Sequence, residues 1–374
     1  MRSIHSLYLI LLVLPTSIYA QHSYQDGFRF LGESSSQTLK LYLALDLKTA
    51  NDQLNNYRFD YVTSDDSQGT IPLTYKDSTY LGSKGSEHFI RFDFGLQNLN
   101  KIIRAIIFNK VTGKEHNLEY EIIESHPFII SDQDGIPIMN YWSNPQEFTL
   151  TNYPAKCFYY SYDFTTGLPP MSTRDQPIAQ ALEVDSTFAV YEKFMLTKPG
   201  LYLFQNDSSS AKAVTLRIEE LYYPKFTSLS ELVKPLKYVT TKDERLELDS
   251  IGDSKLQFDQ FWLGVGQNQE RAVTIIRTFY SRVEYANRNF TTFKEGWKTD
   301  KGLIYLVMGK PDFIENIGNR EVWTYNQNRY LPKRVYQFLK TTTIFSPAHF
   351  VLIREKKHGS PWFEGIDLLR KGVF

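Results

Sequence analysis

The chain has 374 residues, with 42 Lys plus Arg against 42 Asp plus Glu. That length is enough for about two or three hydrophobic cores. The balanced charge gives no bulk field that would draw the protein to nucleic acid or anionic lipid. Cys157 is the only cysteine, which rules out an intramolecular disulfide. It lies in the strand-like run Lys156-Cys157-Phe158-Tyr159-Tyr160 and reads as a small, buried apolar side chain.

Residues 1–20 read as a secretory signal: Arg2, an apolar run over 7–14, then Ile18-Tyr19-Ala20 before Gln21. The apolar run is too short to remain as a membrane span, and no later stretch is long enough to be one. No cysteine follows the expected cleavage site, so the simplest lipid anchor is missing. The expected location is periplasmic, outer-membrane-associated or secreted.

Residues 21–125 alternate apolar and polar side chains over 39–45, 57–62, 88–94 and 102–108, with loops at 65–69 and 111–114. Strands recurring at that interval predict an antiparallel β-sandwich. Residues 126–220 repeat the texture. Candidate strands lie at 128–130, 147–150, 157–160, 189–191, 201–204 and 214–218, and prolines mark the loops. A second sandwich is expected. Asp132-Gln133-Asp134-Gly135 resembles the start of a calcium loop, but position 141 is Tyr where the bidentate Glu belongs. A plain turn is the reading.

Residues 221–236 read as a connector with a short helix near 228–233. Thr241 and Glu244 form a helix-start signal, and a further short helix is expected near 254–262. From Asn268 the spacing of Val273, Ile276, Phe279, Tyr280, Val283, Ala286 and Phe290 predicts a long amphipathic helix. Gly296 is expected to end it in a left-handed conformation. The apolar run Leu303-Ile304-Tyr305-Leu306-Val307-Met308 reads as a buried strand. Gly309-Lys310-Pro311-Asp312 marks a turn, and Glu321-Val322-Trp323-Thr324-Tyr325 alternates as a strand. Residues 336–339 and 349–353 extend the sheet. Residues 237–374 thus form an α+β unit with a solvated basic tail around Lys356, Lys357 and His358. The fold class is multidomain and mainly β: two antiparallel β-sandwich-like domains, then helices plus an antiparallel sheet.

Gly296-Trp297-Lys298-Thr299-Asp300 resembles the motif that names the GWxTD-domain proteins of Bacteroidetes and some other bacteria. The surroundings agree: Tyr280-Ser281-Arg282-Val283, Ala286-Asn287, Gly302, the Gly309-Lys310-Pro311-Asp312 turn and the Trp323-x-Tyr325 strand. The resemblance covers roughly residues 238–353 and implies an exported setting without an established activity. The strand, turn and second strand also look like small outer-membrane assembly lipoproteins of the SmpA type.

No metal site or cofactor is expected. The histidines are scattered, and no HxH, HExxH, CxxC, Gly-x-Ser-x-Gly or phosphate-loop pattern occurs. The motif supplies the candidate residues: Gly296, Trp297, Thr299, Asp300 and Gly302, with Arg282 balancing Asp300 and Trp323 joining Trp297 in an aromatic surface. The competing structural reading makes Trp297 a core plug and Asp300 a loop cap. The leading functional expectation is a non-enzymatic envelope-associated or secreted protein that binds a protein partner. One alternative is a glycan-binding module using Tyr141-Trp142. The other is a hydrolase or transferase with its site near Asp300.

Overall fold

Alternation decides the first unit. In the computed structural model, β1 (Phe28–Ser34), β2 (Thr38–Asp46), β3 (Tyr57–Ser64), β4 (Ile71–Leu73), β5 (Asp77–Lys84), β6 (Glu87–Gly95), β7 (Ile102–Asn109) and β8 (Glu115–Glu121) form two antiparallel sheets. Their orders are β1-β2-β6-β5 and β4-β3-β7-β8. Ile103, Ala105 and Ile107 of β7 point inward every second residue and meet Leu39, Leu41, Leu43 and Leu45 of β2. The structure describes residues 28–373 except 35–36, 48–52, 65–69, 96–100, 123–127, 140, 175–181, 207–212, 253 and 318. The proposed signal at 1–20, the loop at 65–69 and the start of the second set at 126–127 lie outside the described residues.

β2 is apolar on both faces because the second unit covers its back. Tyr42 packs with Ile129, and Ala44 with Ile136. Buried Glu33 reinforces this contact by accepting from Thr151 Oγ1 at 2.7 Å and Asn152 Nδ2 at 3.2 Å.

The second unit contains β9 (Ile130–Ser131), β10 (Tyr141–Trp142), β11 (Gln146–Leu150), β12 (Ala155–Tyr160), β13 (Ser186–Val190), β14 (Lys193–Leu196), β15 (Gly200–Gln205) and β16 (Val214–Ile218). Its sheets run β10-β16-β15-β12-β13 and β14-β11-β9. Phe128, Phe148, Phe204 and Cys157 fill the space between them. Desolvation raises the Cys157 thiol well above its ordinary pKa, which keeps it protonated and inert. Asp132 makes the expected turn, its Oδ1 accepting from the amides of Asp134 and Ile136.

The third unit begins with α1 (Leu229–Val233), α2 (Lys242–Ser250), α3 (Lys255–Gly266) and α4 (Gln269–Phe290). Ser228 and Thr241 close capping boxes, and Asn268 Oδ1 caps α4 through the Arg271 amide. The buried stripe of α4 is Ala272, Ile275, Phe279, Val283, Ala286 and Phe290. Val273, expected in the core, is exposed because the stripe runs one residue to its side.

The main correction follows. Residues 303–308 are not a strand but part of α5 (Asp300–Met308). Leu303, Ile304, Tyr305, Leu306 and Val307 are all buried, and a helix enclosed on every side needs no polar face. A short apolar run fits this element and a buried strand equally well. The sheet starts only at β17 (Phe313–Ile317), then β18 (Arg320–Tyr325), β19 (Arg334–Thr343) and β20 (Ser346–Leu352), in sequential antiparallel order. The likeness to SmpA-type lipoproteins therefore loses its first strand. The expected solvated tail holds at Lys356 and Lys357, which are exposed, and is corrected at its third member. His358 is buried and stacks on Tyr336, and α6 (Gly359–Arg370) places Trp362 and Leu369 in the core. No helix among the described residues is long and apolar enough to cross a membrane.

Candidate functional site: the motif cradle

α4 ends at Phe290, six residues before Gly296 and not at it. Gly296 serves another purpose. A Cβ there would lie 1.8 Å from the Ala286 carbonyl oxygen and 2.7 Å from Asn287 Cα. The returning chain touches the backbone of α4, and only glycine lets it approach so closely. Asn287, fully buried, holds it there. Its Oδ1 accepts from the Trp297 amide at 3.0 Å, and its Nδ2 donates to the Pro224 carbonyl at 3.1 Å. Thr291 Oγ1 accepts from the Gly296 amide at 3.0 Å.

Trp297 is 2% exposed and meets Tyr238 edge-on at 6.2 Å. It is a core plug. Thr299 is the N-cap of α5, accepting from the Gly302 amide at 3.0 Å and donating to the Gly296 carbonyl at 2.7 Å. Gly302 has its own constraint, since a Cβ would sit 2.0 Å from that same carbonyl oxygen. The 3-10 turn Gly296–Lys298 and the first turn of α5 are thus pressed backbone to backbone.

Asp300 opens α5, where the helix dipole favours a carboxylate. It is 3% exposed. Its Oδ2 accepts from the Leu352 amide at 2.7 Å, and its Oδ1 from Arg354 Nη2 at 2.6 Å. It therefore caps the far end of β20 and not its own loop. Arg354, not Arg282, is its cation. Arg282 Nη1 donates to the Leu306 and Val307 carbonyls at 3.1 and 2.8 Å and closes the C-terminus of α5. Trp323 is fully buried, with Nε1 donating to Glu321 Oε1 at 2.6 Å. Trp297 and Trp323 therefore do not form an exposed aromatic surface.

A buried ionic layer surrounds the motif. Lys298 bonds Glu295 at 2.7 Å and also reaches out to exposed Asp163. Arg217 of β16 bonds Glu219 at 2.5 Å, the Phe293 carbonyl at 2.9 Å and lies 3.8 Å from Glu295. Burial drives the carboxyl of Glu219 upward, while Arg217 and Lys298 outweigh burial at Glu295 and hold it low. Arg354, Asn287 and Lys298 carry much of this geometry. Sequence reasoning assigned them no role: Asn287 and Lys298 stood there only as letters of the resemblance, and Arg354 lies 54 positions from Asp300.

Residues 200–371 match the family model described as the GWxTD domain. That stretch of the chain is a GWxTD domain. A search of curated proteins finds no match to the chain. The GWxTD match starts at β15, inside the second sandwich and ahead of the start near 238 read from the motif. It includes Arg217, whose pairing with Glu295 ties that sandwich to the motif.

A polar cavity of about 240 Å³ lies where the first sandwich (Phe30, Tyr120), the second (Thr215) and the GWxTD unit (Thr299, Lys301, His349) meet. Lys301 Nζ pairs with Glu321 at 2.8 Å. Burial, with Lys294 and Lys301 nearby, holds His349 down to about 3 from its ordinary 6.5. The unfolded chain thus takes up a proton that the folded chain refuses, so this contribution to stability is full above 6.5 and is lost as pH falls toward 3. We expect the thermal midpoint to fall further between about pH 7 and about pH 4.5 in the wild type than in His349→Gln. Equal falls in calorimetry would remove His349 from the account. Among the described residues no group of three or more His, Cys, Asp or Glu is placed to hold a metal ion.

Proposed function

We propose that the chain is an exported interaction or structural protein of the cell envelope, binding a protein partner through its β-domains and its GWxTD unit. The observation that carries this reading is the use made of Asp300. Both of its oxygens are taken by the backbone and side chain around β20. A general acid or base must instead reach a substrate proton. The motif's other polar groups are likewise spent on joining α4, α5, β20 and the second sandwich. The glycan reading draws no support from Tyr141-Trp142. The Trp142 ring carries the Lys84 ammonium at 4.6 Å, and Tyr141 meets Tyr223 edge-on at 4.8 Å.

The strand edges of the two sandwiches are the natural place for contact with a partner. Exposed Phe188, Tyr191 and Met195 near the β13 edge are examples of apolar surface there. The test is affinity capture with the full-length protein from an envelope fraction after mild crosslinking. We expect a stoichiometric protein partner. Recovery of free monomer alone under gentle extraction argues against the proposal.

A further inference from the structure

Residues 163–170, which follow β12, leave its sandwich and lie along the GWxTD motif. Phe164, Gly167 and Pro170 are buried, while Asp163, Thr165 and Pro169 are exposed. Burial at every third residue matches a chain with three residues per turn, as in polyproline II. Phe164 enters an aromatic pocket, 5.0 Å from the Phe293 ring and 6.3 Å from Phe345. The backbone is read in register. Lys294 Nζ donates to the Thr165 carbonyl at 3.2 Å, and the Gly167 amide donates to the Lys298 carbonyl at 2.9 Å. Arg354 Nη2 donates to the Leu168 carbonyl at 3.1 Å, and the Glu355 amide to the Pro170 carbonyl at 3.0 Å. A Cβ at Gly167 would lie 2.6 Å from Asp300 Oδ1, so the placement of the Asp300–Arg354 pair also selects glycine at this position.

The contacts divide unevenly along the chain. Lys294, Lys298, Asp300, Arg354 and Glu355 lie within the residues that match the GWxTD family, and the segment they hold lies outside them. We infer that the face of the GWxTD motif is a binding cleft for an extended Phe-x-x-Gly-x-x-Pro segment, which residues 164–170 occupy in cis. The inference rests on the interaction reading above and gives it a chemistry: an extended peptide, held by its carbonyls and one amide, with an aromatic anchor and an obligatory glycine. Such preformed extended chains are a recurrent recognition mode because they lose little entropy on docking.

The probe is a fluorescent synthetic peptide of residues 161–173, titrated into full-length protein and read by anisotropy. In full-length Gly167→Asp the added carboxylate faces Asp300 and expels the resident segment. That variant should bind the peptide more tightly than the wild type does, by on the order of a hundredfold, because a tethered competitor acts at roughly millimolar effective concentration. A peptide carrying the same Gly→Asp change should bind neither protein. Folded Gly167→Asp that binds the peptide no better than the wild type overturns the inference. Should that variant not fold, amide exchange on the wild-type chain decides. The Gly167 amide should exchange at least about tenfold faster than the amides of Leu303 to Leu306, as a separable ligand requires. Equal rates would make the segment an inseparable part of the fold and overturn the cleft. A partner still captured from the envelope while these results fail leaves the interaction reading standing and removes only the cleft.

Discussion

Asp300→Ala is expected to destabilise the protein by about 3–5 kcal/mol, the cost of leaving a buried cation without its anion. The stranded group is Arg354, whose side chain is 8% exposed and whose Nη2 lies 2.6 Å from Asp300 Oδ1. The Leu352 amide loses its acceptor at the same time, and a buried donor left unpaired adds to the cost. Asp300→Asn separates the two losses. It keeps the shape and an oxygen for Leu352 but removes the charge, and should cost about 2 kcal/mol. Urea unfolding followed by tryptophan fluorescence measures both. An Asp300→Ala midpoint within error of the wild type would show that the ion pair contributes nothing, and would leave the carboxylate free for another role.

Gly302→Ala should be nearly as severe, at about 3 kcal/mol or more, because the clash is with backbone and cannot be relieved by a rotamer change. The new methyl would meet the Gly296 carbonyl oxygen at 2.0 Å. Gly296→Ala meets the Ala286 carbonyl oxygen at 1.8 Å and should behave alike. Gly264 in α3 is the internal control, since a Cβ there meets nothing within 4 Å. Gly264→Ala should stabilise the protein by about 0.5–1 kcal/mol through helix propensity. Thermal unfolding of the three variants tests the contrast. Equal effects at all three sites would mean that close backbone approach is not what requires glycine in the motif.

Patterns confined to one element could be read from the sequence. The alternation in β7, the capping box at Thr241 and Glu244, and the cap at Asn268 each depend on residues within a few positions of one another. The strand assignment for residues 303–308 failed because enclosure on all sides erases the periodicity that separates helix from strand. Gly296 was placed at a bend for its conformational freedom, whereas the structure uses its lack of a side chain. The burial of Trp297 was legible as one of two readings. The partner of Asp300 was not, because Arg354 lies 54 positions away. Arg282 was the nearer arginine and the wrong one, since its guanidinium serves the last carbonyls of α5. Gly167 had no signal at all, because its constraint comes from a carboxylate in another unit.

β15 lies at the start of the GWxTD match but takes its place in the sheet from β12, which precedes the match and pairs with it from Lys156–Gln205 to Tyr160–Leu201. Excising the matched stretch would therefore tear a sheet lengthwise, baring a row of unanswered amides and carbonyls that invites edge-to-edge pairing with another chain. The border of the family match and the border of the sheet do not coincide in this protein.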